Sequence, residues 1–324
     1  MTVAVERLPL ARPFAIARGS RTEAIVVVAT IASAAGHAGR GECVPYARYG
    51  ETPESVVSAI ASMRAAIEAG ASRDELHGLL PAGAARNALD CALWDFEAKR
   101  LGVRASALAG LHRVPPAVTA FTISLGPTEA MQRAAAEAAD RPVLKIKLGG
   151  DDDEAALAAV RDAAPEATLI VDANEGWTEA VLASRLAACR RADVAMVEQP
   201  LPAGRDALLA RIEHPVPVCA DESAHVAADL PALRDRYDAV NVKLDKAGGL
   251  TEALLMVEEA ERLGFALMVG SMVASSLGVA PALLLTPRAR FVDLDGPLLL
   301  ARDRDPGLHY DGSVVFPAEA EVWG

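Results

Sequence analysis

No Cys-x-x-Cys pair, no basic stripe and no long uninterrupted apolar run occurs among the 324 residues. Cys43, Cys91, Cys189 and Cys219 stand singly and far apart, so free core thiols in a reducing cytoplasm are expected rather than a disulfide framework. A net charge of −12 without a compensating basic patch excludes nucleic acid as the natural partner. Hydrophobic residues make up 52%, with a mean hydropathy of +0.21, through abundant Ala and Leu. The longest apolar stretch, residues 24–35, is interrupted by Thr and Ser and falls short of the roughly 18 residues of a membrane span. Residues 1–6 lack the basic start and apolar core of a signal peptide, which again points to the cytoplasm. His37, His77, His112, His214, His225 and His309 are scattered singly and receive no role.

Against these absences stands Leu144-Lys145-Ile146-Lys147-Leu148. Side chains at i and i+2 of a strand share a face, and the flanking apolar residues have the texture of a parallel strand covered on both sides. Two ammonium groups would then share one interior, where burial and like charge both disfavour protonation, as suits a lysine base. The alternative is an edge strand whose lysines face water.

Three similar apolar runs end in acid: Thr168–Val171 in Asp172, Val194–Val197 in Glu198, and Pro217–Ala220 in Asp221. A single such residue reads as a helix cap. Three at matching points of successive units do not, because Glu is a poor cap. A fourth run ends in Lys243, and a fifth gives Asp293-Leu294-Asp295-Gly296.

The steps from Lys147 through Asp172, Glu198, Asp221, Lys243 and Gly270 to Asp295 are 22 to 27 residues each, one strand plus one helix. Helical periodicity between them is read over 152–164, 179–190, 206–213, 229–237, 250–263 and 275–285. With a first strand over 118–123 and a seventh over 265–269, the pattern predicts eight parallel strands and seven intervening helices. The fold class expected is α/β, a (β/α)7β-type TIM barrel preceded by an α+β capping domain. The C-terminal strand ends of such a barrel open onto one mouth, and every polar residue named above falls there. The predicted divisions are a capping domain over 1–112, a barrel over 113–302 and a segment over 303–324 that returns to the first domain. Gly249 is read as a close approach of backbone, either a tight turn or the start of an anion-binding helix.

Asp172, Glu198 and Asp221 offer three oxygen ligands from consecutive strands with no His or Cys nearby, which favours a hard cation such as Mg²⁺. Strands two and six lie opposite each other in a ring of eight, so Lys147 and Lys243 would face one another across the ion. Base, dication and second base suit abstraction of a proton next to a carboxylate and its return to the other face.

The KxK pair, the Asp, Glu, Asp series, and Asn241-Val242-Lys243-Leu244-Asp245-Lys246-Ala247-Gly248-Gly249 resemble the muconate-lactonizing subgroup of the enolase superfamily over essentially the whole chain. Residues 81–95 resemble its capping domain. Asp293-Leu294-Asp295 is similar to the dipeptide epimerases, and Phe14–Arg21 with Pro45–Glu51 resembles those acting on L-Ala-D/L-Glu. The resemblance implies that Lys147 and Lys243 are the two acid/base catalysts, that Lys145 keeps the proton affinity of Lys147 low, and that Asp172, Glu198 and Asp221 hold one Mg²⁺, or Mn²⁺ in its place. It further implies that Asp293 and Asp295 take the α-ammonium of a dipeptide. A glutamyl γ-carboxylate calls for an arginine, and Arg18, Arg21 and Arg48 are the candidates. N-acylamino acid racemases, o-succinylbenzoate synthases and cycloisomerases of the same subgroup remain alternatives, as does a silent barrel binding an acidic metabolite. Two carboxylates at strand eight speak against substrates lacking an ammonium. A homo-oligomer is compatible with the sequence but is not read from it.

Overall fold

The computed structural model describes all 324 residues. Strands β1 (Thr2–Ile16), β2 (Gly19–Ala32) and β3 (Ala38–Cys43) form an antiparallel sheet in that order. The β1/β2 ladder runs from Thr2↔Thr30 to Pro9↔Glu23 and resumes at Phe14↔Arg21. The interruption falls where Pro9 and Pro13 have no N–H to give to a ladder. Both strands are long, because the hairpin continues as a half-exposed ribbon that apolar alternation alone does not mark.

Helix α1 (Pro53–Ser62) starts with Thr52 accepting from the Ser55 amide and Pro53 in the first turn, where its missing N–H costs nothing. After α2 (Arg64–Glu68), α3 (Arg73–Leu79) begins with a Ser72/Glu75 capping box. Helix α4 (Ala84–Leu101) lies directly on the sheet. A Cβ at Gly41 would come within 2.1 Å of the Ala88 carbonyl oxygen, so the helix approaches β3 as only glycine permits. A short α5 (Ala105–Leu108) follows.

The expected first barrel strand, 118–123, divides in two. β4 (Ala117–Val118) leaves the barrel to pair with the C-terminal segment, and only β5 (Phe121–Ile123) joins the barrel sheet. Thr119 makes the turn: its amide donates to the Ser313 carbonyl at 2.8 Å and its hydroxyl accepts from the Leu294 amide at 2.8 Å.

Then come α6 (Thr128–Glu137), β6 (Val143–Lys147), α7 (Asp153–Ala163), β7 (Thr168–Asp172), α8 (Glu179–Arg191), β8 (Val194–Glu198), β9 (Val218–Ala220), β10 (Ala239–Lys243), α9 (Leu244–Ala247), α10 (Leu250–Leu263), β11 (Ala266–Gly270), α11 (Ser276–Val279), β12 (Phe291–Asp293) and α12 (Gly296–Leu299). Strands β5 to β12 run in sequence order around a parallel sheet, and the Ala120 amide reaches the Val292 carbonyl at 2.7 Å to close the ring. The fold is therefore a (β/α) TIM barrel carrying a separate N-terminal sheet domain.

Three expected helices are tighter than α. Residues 207–211, 227–233 and 280–288 form 3-10 turns, and Pro231, Pro281 and Pro287 explain the last two by withholding the N–H of a regular α-helix. The helix between the first two barrel strands, α6, was not among the expected segments.

The C-terminal segment supplies β13 (Tyr310–Asp311) and β14 (Val314–Val315), the latter paired to β4. It then reaches α4, where the Trp323 indole donates to the Cys91 carbonyl at 3.0 Å and the Gly324 amide to Asp95 at 2.7 Å. Gly249 precedes α10 with φ +116°, and the helix start is occupied from within the protein: Asp90 of α4 accepts from the Thr251 amide at 3.0 Å. All four cysteines are free and buried.

The barrel interior has a distinct floor of Ile170, Met196, Cys219, Ala239 and Met268. The pleat carries that inward face up each strand in steps of two. One step above the floor stand Asp172, Glu198, Asp221, Asn241 and Gly270, and Lys145 and Lys147 rise in the same way above Val143.

Candidate active site

The strand ends are aligned across the ladder. Lys147 pairs in register with Asp172 and Asp172 with Glu198, while Lys243 pairs with Gly270 and Gly270 with Asp293. β6 lies between β5 and β7, so the edge-strand alternative for its lysines does not hold. Lys145 is 1% exposed and Lys147 6%, and Asp172, Glu198, Asp221, Lys243, Asp293 and Asp295 are buried with them. Asp295 departs from the expected i, i+2 strand pair. The strand ends at Asp293, and Asp295 begins α12, where its carboxylate accepts from the Thr122 amide at 2.7 Å.

Charges alternate through this layer. The Lys145 ammonium lies 2.6 Å from Glu198, 2.7 Å from Asp293 and 3.1 Å from Asp172. Lys147 meets Asp172 at 2.6 Å, and Lys243 meets Asp221 at 2.7 Å. Burial pulls the affinity of Lys145 for its proton down, but Asp293, Glu198 and Asp172 outweigh it and hold the ammonium well above the ordinary lysine range. The Lys243 ammonium is likewise opposed by burial and raised by Asp221 and Glu198. At Lys145 and Lys243, like charges therefore approach with carboxylates between them. In return, the Asp221 carboxyl, which burial would push up, is driven well below its usual range by Lys243 and Lys246. Asp295 is pushed up to about 6 by burial and by Asp293, and Glu222 to about 7 by burial, Asp221 and Asp172.

The predicted Asp172, Glu198 and Asp221 trio does not form a ready cage. No three acidic residues converge on one ion-sized position, because the carboxylates turn to the lysines as their counter-charges. The donor set nevertheless suits a hard cation, being oxygen throughout. Glu198 Oε2, Asp221 Oδ1 and Asn241 Oδ1 are buried without a hydrogen-bond donor. Lys145 and Lys246 come within 2.6 Å of the first two, close enough for charge pairing but not at hydrogen-bonding angles. Binding an ion here requires the carboxylates to exchange ammonium for metal.

Several participants escaped the sequence reading. Lys246 of α9 is 1% exposed and donates to the Asn241 carbonyl at 3.1 Å, and its ammonium also contacts Asp221. Gln199 has left-handed backbone, φ 37°. Its Oε1 accepts from the Asp221 amide at 2.8 Å and the Ser223 amide at 3.1 Å, while its Nε2 donates to the Tyr237 hydroxyl at 2.9 Å. Tyr237 in turn donates to Asp206 at 2.6 Å. Gln199 thus straps the loop after β8 to the loop after β9. The signal available was adjacency: Gln199 follows Glu198, Glu222 follows Asp221, and Lys246 lies one helical turn beyond Lys243.

A pocket of about 60 Å³ opens above this layer, lined by Lys145, Lys147, Asp221, Lys243, Asp293 and Asp295 from the barrel and by Phe14, Arg18, Arg21, Tyr46 and Tyr49 from the first domain. The three candidate arginines separate. Arg48 does not line the pocket, because Glu175 takes it bidentately at 2.7 Å for each bond. Arg18 lines it but is fully engaged, donating to the Asn174 carbonyl, Glu175, the Tyr46 hydroxyl and Glu222 at 2.7 to 3.1 Å. Arg21 faces the same pocket with its guanidinium 5.7 Å from the centroid of the Tyr46 ring and no carboxylate on it.

The family described as Enolase C-terminal domain-like matches residues 129–306, and the Mandelate racemase / muconate lactonizing enzyme N-terminal domain matches residues 1–110. L-Ala-D/L-Glu epimerase of Escherichia coli (strain K12) is 48% identical over 307 residues, covering 94% of this chain and 95% of its own. N-acetyl-D-glutamate racemase of Pseudoalteromonas sp is 42% identical over 288 residues, covering 88% and 91%. An enolase family member from Agrobacterium tumefaciens with homology to dipeptide epimerases, its structure solved with sodium and L-Ala-L-Glu bound, superposes with a TM-score of 0.98 at 56% identity and covers 100% of this chain and 99% of that chain. Two matched domains, a shared barrel and this strand-end constellation converge: the chain belongs to the mandelate racemase / muconate lactonizing enzyme family of the enolase superfamily.

Proposed function

We propose that the chain is a dipeptide epimerase that inverts the α-carbon of the second residue, with L-Ala-D/L-Glu as its substrate pair. One observation carries the reading: Lys147 and Lys243 end the second and sixth of eight barrel strands and line one pocket, so two amines address a bound α-carbon from opposite faces. One lysine, as the amine, takes the α-proton, and the C–H electron pair passes into the substrate carboxylate. The other, as the ammonium, returns a proton to the opposite face. Atoms and charge balance, and exchange with solvent resets the pair. Each lysine must leave its resting carboxylate to act, Asp172 for Lys147 and Asp221 for Lys243. Mg²⁺ held by Asp172, Glu198 and Asp221, or Mn²⁺ in its place, supplies when bound a positive charge that stabilises the enolate oxygens. Lys145 remains an ammonium and adds fixed charge beside them.

Asp293 and Asp295 receive the α-ammonium. Asp293 Oδ1 is buried with no donor, and the mutual repulsion of the two carboxylates is relieved by a cationic guest. Arg21 takes the γ-carboxylate, since Arg18 and Arg48 are already paired. Four buried free thiols accord with action in a reducing cytoplasm.

The relative named for N-acetyl-D-glutamate supports a second reading, racemisation of N-acylamino acids. The test is incubation of the Mg²⁺-loaded protein in D₂O with L-Ala-L-Glu and, separately, N-acetyl-L-glutamate, followed by mass spectrometry and chiral separation. Formation of L-Ala-D-Glu with deuterium at the glutamyl α-carbon is expected. Exchange of N-acetylglutamate alone would replace the first reading with the second.

A further inference from the structure

The barrel has eight strands, but β12 is followed only by the single turn α12, so the flank between β12 and β5 has no long helix of its own. Residues 11–14 of the first hairpin cross this flank. Beneath them a cleft of about 600 Å³ remains, with Ile123, Met131, Ala134 and Leu298 among its apolar walls and an Arg12–Glu137 ion pair of 3.0 Å at its rim. Phe14, Thr122 and Leu299 line both this cleft and the active-site pocket. Thr122 is also the residue whose amide holds Asp295.

We infer that the cleft receives the side chain of the substrate's first residue, and that dipeptides beginning with large apolar residues are substrates. The inference rests on the dipeptide reading above. An α-ammonium held by Asp293 and Asp295 brings the first α-carbon beside Thr122, because amine and side chain are attached to that same carbon. The catalytic pocket, about 60 Å³, is small against the roughly 300–1,000 Å³ of ordinary ligand sites, and it must take the carboxylate, the reacting carbon and the second side chain. The first side chain has room on the other side of Phe14 and Leu299. The walls there are mostly apolar, with Arg141 covering the Phe121 ring at 4.1 Å and the Arg12–Glu137 pair neutralising itself, which favours leucine-like or phenylalanine-like groups.

The test compares kcat/KM for Gly-, L-Ala-, L-Leu- and L-Phe-L-Glu on the wild-type enzyme and on Ala130→Phe, which plugs the cleft near its upper end, with Ala134→Leu as a milder plug one turn further down. L-Leu-L-Glu and L-Phe-L-Glu are expected to turn over within about tenfold of L-Ala-L-Glu, and the ratio of L-Phe-L-Glu to L-Ala-L-Glu to fall by about tenfold or more in Ala130→Phe and by less in Ala134→Leu. A wild-type preference for L-Ala-L-Glu beyond that margin, or a ratio unmoved by both plugs, overturns the cleft assignment. Absence of turnover with every dipeptide overturns the epimerase reading itself.

Discussion

Lys145 and Glu198 meet at 2.6 Å inside the barrel, 1% and 0% exposed. Opposite charges are taken out of water there, and removing Lys145 strips Glu198, Asp293 and Asp172 of a shared counter-charge at a cost of several kcal/mol. Lys145 shares Asp172 with Lys147, and Glu198 lies 3.8 Å from Lys243, so the charge balance of the site is set before any substrate arrives.

Lys147→Ala and Lys243→Ala are each expected to lower epimerisation by about 10²–10⁴-fold, the usual contribution of a positioned acid or base. Exchange of the α-proton with D₂O should persist from one stereoisomer in each variant, and from the opposite isomer in the other. Deuterium incorporation measured separately for L-Ala-L-Glu and L-Ala-D-Glu checks this, and normal epimerisation by both variants would refute the two-base scheme.

Asp295→Asn weakens the seat of the ammonium while keeping an acceptor for the Thr122 amide. A loss of about 10–100-fold in kcat/KM is expected for dipeptides, in line with a charge-assisted hydrogen bond, and a smaller one for N-acylated glutamate. Equal losses on both substrates would remove the ammonium assignment.

Arg21→Met should raise KM for L-Ala-L-Glu by about tenfold or more and leave L-Ala-L-Leu little changed, since only the former offers a carboxylate to the guanidinium. A parallel change with both substrates would show that Arg21 does not read the side chain.

Gln199→Leu keeps the volume but cuts the strap between the loops bearing Glu198 and Asp221. Mn²⁺ binding, followed by electron paramagnetic resonance without substrate, should weaken by about 10–100-fold, as is usual when support behind a ligand is lost. Unchanged affinity in a folded variant would confine Gln199 to a packing role.

Asp245 is buried and accepts from the Val44 amide and from Asn87, both of the first domain, at 2.9 Å each. Burial raises its carboxyl to about 7, against bonds that pull the other way. With the folded value above the unfolded one, its contribution to stability is fully present below about pH 4 and is lost as pH rises toward 7. Asp245→Asn should therefore stabilise the protein at pH 8 by roughly 1–3 kcal/mol and lose that advantage near pH 4. Urea midpoints at the two pH values decide it.

Much of this was legible in the chain because the barrel writes itself twice: as a period of one strand plus one helix, and as a polar residue closing each apolar run. Lys145, Lys147, Asp172, Glu198, Asp221, Lys243 and Asp293 all lie at the mouth. Asp295 lines the same pocket from α12, a local turn that the i, i+2 spacing could not distinguish from continued strand. The counter-charges of Lys145 were not legible along the chain, because they come from three other strands. The arginines were indistinguishable by composition. What separates them is Glu175 and Glu222, whose partners lie well over a hundred residues away. Gln199 and Lys246 passed unnoticed because their work is done through other side chains.

The floor of Ile170, Met196, Cys219, Ala239 and Met268 has a mechanical corollary. All of these side chains but Met268, which lies below Gly270, are one pleat below a polar group of the mouth, so the floor is the bedplate on which the tools are mounted. Trading Cys219 or Ala239 for something bulkier would tilt the strand beneath Asp221 or Asn241 without touching either, so drift in the most inert-looking layer of the molecule should be felt first as misalignment at its most reactive one.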